Sequence, residues 1–142
     1  MLVKTKYHDE LEINKEDVLN FEKGIPGFQD EKEFAILPLS DDGAFSVMQS
    51  VATPPLAFVV ASPFTFFKDY DFNLEDSVVE ELSLESEKNV AVFSILTVQD
   101  PFEKTTANLQ GPVIINTSNK KAKQVILNNE SYKTNHPIFQ KG

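Results

Sequence analysis

Residues 21–28 read Phe-Glu-Lys-Gly-Ile-Pro-Gly-Phe and constrain this chain more than any other stretch. Gly24 and Gly27 can take φ > 0 without a Cβ clash, and Pro26 fixes its own φ. Pro26-Gly27 therefore suits the central pair of a type II turn, and Pro26 pushes Ile25 towards extended backbone. Phe21, Ile25 and Phe28 supply apolar anchors on either side. The stretch predicts a buried corner, where one strand ends and the chain folds back over a core.

The rest of the pattern is of strands and short turns. Leu2, Thr5 and Tyr7, then Leu11 and Ile13, predict two strands around a tight turn at residues 8–10. Residues 34–38 read as a strand closed by Pro38, and Asp42-Gly43 as a hairpin signal before the alternating stretch 45–50. Residues 56–61 are continuously apolar, as in a strand buried on both faces, and residues 90–98 form the strongest strand pattern. Asp100-Pro101 offers a helix start. Residues 112–116 and 122–127 predict a closing hairpin, and residues from about 130 to 142 a frayed tail. The whole reads as one domain, residues 1–142. It is mainly β, a compact antiparallel β-barrel-like fold with one or two short helices.

Two functional classes find little support. The 142 residues contain no cysteine, which removes disulfides, thiolate metal sites and cysteine nucleophiles. The only histidines, His8 and His136, fall in a predicted turn and in the predicted tail. No nucleophile elbow, phosphate loop, dinucleotide fingerprint or zinc-protease motif occurs. Asp41-Asp42-Gly43 lacks the acidic spacing of a calcium loop. We therefore expect no catalytic residues, no metal and no cofactor. Every basic residue is a lysine, and 13 bases against 22 acids give a formal charge of −9. Arginine is the usual bidentate reader of phosphate and guanine, so direct nucleic-acid binding is not expected. No apolar stretch approaches the ~20 residues of a spanning helix, and the acids near the start do not suit a signal peptide. The expectation is a cytoplasmic protein without membrane contact, monomeric when alone.

One segment changes character. Phe64, Phe66, Phe67, Tyr70 and Phe72 are followed by a predicted helix capped by Asn73, with Leu74, Val78 and Leu82 as its apolar stripe. From residue 69 to 87 there are eight acids and no base until Lys88: Asp69, Asp71, Glu75, Asp76, Glu80, Glu81, Glu85 and Glu87. Such a run reads either as a solvated helix face or as a docking surface for a basic partner. The first six are the candidate partner-binding residues.

The word at 21–28 resembles the Gly-Ile-Pro-Gly-Phe signature of the flagellar assembly factor FliW family. The resemblance extends to Thr5-Lys6, residues 34–38, Gln49-Ser50 and Phe58-Val59-Val60. It recurs at Ala107-Asn108-Leu109-Gln110-Gly111-Pro112, similar to the family's Asn-Leu-x-Ala-Pro word, and ends in 112–116 and 122–127. Phe21, Gly24, Ile25, Pro26, Gly27, Phe28, Asn108 and Pro112 carry it as structural signature residues. The resemblance implies a non-enzymatic flagellar regulator with a β-barrel-like fold. Such proteins bind newly made flagellin and also the RNA-binding translational repressor CsrA, relieving repression of flagellin translation; the two partners compete. The alternative reading from the residues alone is a small-ligand carrier with a Phe-lined barrel interior, which an apolar cavity would favour.

Overall fold

The computed structural model describes residues 1–139. The predicted corner forms: Phe28 N–H donates to Ile25 O at 2.7 Å, and Gly27 at the third turn position has φ +87°. Those are the bond and the dihedral of a type II turn. Gly24, at φ +70°, is the more constrained glycine, because a Cβ there would lie 2.4 Å from Gln29 O. Phe21 and Ile25 are buried, as anchors should be. Phe28 is not; it is 42% exposed and packs edge-on against Phe58, 5.7 Å between centroids. The tight reversal turns its side chain outward while its backbone closes the turn.

Around this corner runs an antiparallel sheet of β3 (Leu19–Asn20), β4 (Glu33–Pro38), β5 (Ser46–Ser50), β6 (Ala57–Ala61), β7 (Val90–Thr97), β9 (Val113–Asn116) and β10 (Ala122–Gln124). Its spatial order is β3-β4-β5-β6-β7-β9-β10. Two strands absent from the predicted pattern lie off this path: β8 (Thr106–Ala107) pairs with β7, and β11 (His136–Pro137) pairs with β8. Both are two residues long, too short to show a period. The sheet curls until its edge strands meet, among the described residues at one bridge, Asn20 with Lys121, where Asn20 N–H donates to Lys120 O at 2.8 Å. The barrel-like expectation holds for curvature and β content, and not for closure by a continuous ladder.

The strand period assigns the two faces. Leu19, Phe34, Met48, Val60, Val113, Ile115 and Ala122 belong to one buried cluster, with Phe58, Ala91, Phe93 and Ile95 packed against it. Every strand on the path contributes, both edges included, which places this cluster inside the roll. Phe34 and Met48 are fully buried, and Phe21 meets Phe34 edge-on at 5.3 Å. Gln49 is buried too; its amide donates to Ser50 O, Pro54 O and Leu56 O and its oxygen accepts from Lys6 N–H, so the polar group is satisfied.

The outer face is covered in two places. Ala35 and Leu37 pack under Val3, Ile13 and Val18, from the hairpin of β1 (Leu2–Val3) and β2 (Leu11–Glu12) and the turn after it. The expected strand pair exists, shortened to two residues a side and joined by a broad loop rather than a tight turn. Val59, Ala61, Leu96 and Ile114 are covered by Tyr70, by Val78 of α2 (Asp76–Glu81) and Leu82 at its C-cap, and by Ile138. α1 (Pro63–Phe66) leads into that cover.

The expected fraying does not describe residues 132–138. Tyr132 meets Tyr70 edge-on with ring centroids 4.7 Å apart, His136 lies in β11 and Ile138 is buried. These anchors are few in sequence but each finds a deep partner. The last three residues of the predicted tail lie outside the described residues. His8 is also tied down, its Nε2 lying 2.8 Å from Pro38 O.

Candidate protein-binding surface

The signature residues and the acidic residues occupy different parts of the molecule except at Glu81, which reaches Lys23 beside Gly24. Asn108 Oδ1 accepts from Gly111 N–H at 2.8 Å, and the Asn108 carbonyl accepts from Ser94 Oγ at 2.7 Å. Pro112 is fully buried and its carbonyl accepts from Val125 N–H. With the corner at 21–28, these residues shape turns between strands, and none of their side chains is gathered with the acids.

The acidic segment lies over the outer face. Tyr70 anchors its start, donating from its hydroxyl to Leu109 O at 2.7 Å; burial, with Tyr132 beside it, pushes the phenol above its ordinary range. Tyr132 Oη in turn accepts from Asp71 N–H and donates to Asp71 O, both at 3.0 Å. The Phe-rich run is therefore largely cover for the core: Phe66, Phe67 and Phe72 are half-buried against it, while Phe64 remains 45% exposed.

α2 is shorter than the apolar stripe predicts. It spans Asp76–Glu81, and Glu75 rather than Asn73 occupies the N-cap position. Val78 and Leu82 are buried as expected, but Leu74 lies on the extended approach. The helix end is held from a distance: Asn116 Nδ2 donates to Leu82 O at 2.8 Å and to Ser83 O at 3.1 Å, and Asn119 Nδ2 donates to Leu82 O. These donors satisfy carbonyls left open at a helix C-terminus. Nothing in the sequence marks Asn116 or Asn119 for this task, because their partners are more than 30 residues away.

Asp69, Asp71, Glu75, Asp76, Glu80, Glu85 and Glu87 are all exposed. Glu81 is the exception. Its carboxylate lies 2.9 Å from Lys123 Nζ and 3.7 Å from Lys23 Nζ, across the seam where β3 meets β10. The hydrogen bond from Lys123 and the charges of both lysines hold this carboxyl below its ordinary range. Seven exposed carboxylates thus form the acidic surface, and the eighth ties α2 to the seam. Among the described residues no group of three metal-ligating side chains occurs, and no helix is long and apolar enough to cross a membrane.

The described residues thus form a rolled antiparallel sheet with a packed interior and a run of exposed carboxylates over its outer face. The FliW protein family model matches residues 2–138. The flagellar assembly factor FliW of Bacillus licheniformis is 53% identical over 138 residues, covering 97% of this chain and 96% of the relative. That of Bacillus subtilis is 51% identical with the same coverage. A crystal structure of the flagellar assembly factor FliW superposes with a TM-score of 0.94 at 47% identity, covering 99% of each chain. This chain belongs to the FliW family.

Proposed function

We propose that this chain is a non-enzymatic, cytoplasmic regulator of flagellum assembly. It binds the translational repressor CsrA and relieves repression of flagellin translation, and it binds newly made flagellin, which competes with CsrA. Relatives of about half-identical sequence, named flagellar assembly factors, support the role in assembly. The observation that carries the CsrA part is the exposed, lysine-free carboxylate run from Asp69 to Glu80 on an arginine-free chain of charge −9. A repressor that binds RNA must present positive potential, and an acidic partner docked beside that surface repels phosphate. Rim charges of this kind act mainly on association rate and its salt dependence, within a screening length of about 8 Å. The interior filled by Phe21, Phe34 and Met48 supports this reading over a ligand carrier.

The test is a triple variant, Glu75→Lys/Asp76→Lys/Glu80→Lys. Its association with CsrA should slow by about tenfold at low salt, with RNA displacement weakened in parallel and flagellin binding affected less. Unchanged kinetics and displacement in a folded variant would return this face to a merely solvated role. Gel shifts of the native chain on a flagellin leader RNA at low salt should show no binding; micromolar binding would refute the protein-only partner set.

A further inference from the structure

Beside α2, an open groove of about 600 Å³ runs between residues 71–87 and the start of β7. Its floor is apolar: Phe72, Leu74, Val79, Leu84, Val90 and Val92 line it, all half-buried. All of these except Val79 pack against the outer core below and stay open to the groove above. Its charged lining consists of Asp71, Glu85 and Glu87, every one an exposed carboxylate. Among the described residues none of these three lies within ion-pair distance of a lysine, in contrast to Glu81 on the other side of the helix. Half-covered apolar side chains beneath unpaired carboxylates select an occupant that is apolar on one side and cationic along its edges.

We infer that this groove receives an amphipathic helix of a partner protein, its apolar stripe seated on Leu74, Leu84 and Val92 and its Lys or Arg flank facing Asp71, Glu85 and Glu87. The inference rests on the reading of the acidic segment as a partner surface, and it supplies what that reading lacks, an apolar contact from which affinity can come. The floor is made of side chains from three segments, so it recognises a stripe of side chains, which a helix presents at i, i+3, i+4 and i+7. A second copy of this chain does not fit. Its longest described helix, α2, has six residues, and its outward positions Asp76 and Glu80 would face the groove's own carboxylates.

The experiment titrates the full chain, methyl-labelled for NMR, with two synthetic helical peptides that share one leucine stripe. One carries lysines along its flanks and the other glutamates. The lysine peptide should shift the methyls of Leu74, Val79, Leu84, Val90 and Val92, and its affinity should fall about tenfold between low and high salt. The glutamate peptide should leave them unmoved. Glu85→Lys/Glu87→Lys, at exposed positions, should melt like the parent and lose most of the lysine peptide's affinity. Equal binding of both peptides, or shifts centred on another surface, would overturn the inference. Failure of the groove is separable from failure of the functional reading. If the peptide finds no groove but Glu75→Lys/Asp76→Lys/Glu80→Lys still slows CsrA, the groove is wrong and the acidic surface stands. If the peptide binds as described and CsrA ignores the triple variant, the groove stands and its partner is another protein.

Discussion

The corner at 21–28 and the acidic segment at 69–87 are built on opposite terms. In the corner, Phe21 and Ile25 are buried, Gly24 touches the backbone of Gln29, and the turn's conformation is dictated residue by residue. In the acidic segment, the inward side chains Tyr70, Val78 and Leu82 hold the cover in place, while the carboxylates between them reach solvent. The corner is recognisable because few residues can replace it; the segment is free to carry function because many could. The signature residues therefore differ from the proposed contact residues in kind, and a word made of glycine, proline and core apolar residues reports fold.

Substitutions at the two glycines should widen this contrast most. At Gly24, a left-handed φ costs a side chain about 1–2 kcal/mol, and the contact with Gln29 O adds about 1–3 kcal/mol of overpacking. Gly24→Ala should therefore destabilise by about 2–5 kcal/mol in urea unfolding. Gly27 has the same sign of φ but nothing within 4 Å of its Cβ position, so Gly27→Ala should cost only about 1–2 kcal/mol. Equal losses would show that the approach to Gln29 has no energetic weight.

A smaller effect distinguishes the acids from one another. Glu75→Lys, Asp76→Lys and Glu80→Lys should each move stability by less than about 0.5 kcal/mol, as exposed substitutions do. Glu81→Lys should lower the melting temperature further, because it sets a third cation against Lys23 and Lys123. The pH dependence carries the same signature. The Glu81 carboxyl is depressed in the folded state, so its contribution is present above its unfolded value and is lost as pH falls through its folded one. Glu81→Gln should consequently differ from the parent at neutral pH and converge with it in acid, followed by thermal melts.

The smallest expected effect concerns the C-terminal cover of the acidic segment. His136 Nε2 accepts from Lys133 N–H at 2.8 Å, and burial, with Lys133 nearby, holds the imidazole below its ordinary 6.5. The unfolded chain binds the proton more readily, so the neutral ring's contribution is present above pH about 6.5 and fades below it. Amide protection at Leu109, bonded to Lys133 O, and at Ile138, bonded to Thr105 O, should fall relative to the intrinsic exchange rate at each pH as pH drops from about 7 to about 5.5. His136→Gln should flatten that dependence.

What the sequence determined by itself is local. The type II turn at Pro26-Gly27, the hairpin at Asp42-Gly43, the strands β4 to β7 and the inward positions of Val78 and Leu82 all follow from dihedral limits and from apolar runs or apolar spacing within a few positions. The family word is also local, but it identifies the family by resemblance and not by those limits. Only the tertiary structure decided which residues meet across long separations. It set Glu81 between Lys23 and Lys123, gave Asn116 and Asn119 the end of α2, and drew Tyr132, His136 and Ile138 onto the outer face. It also turned Phe28 outward and left the sheet joined, among the described residues, at Asn20 and Lys121 by a single bridge. Contacts of that kind depend on how a curled sheet brings distant segments together, and no periodicity within one segment encodes its partner in another.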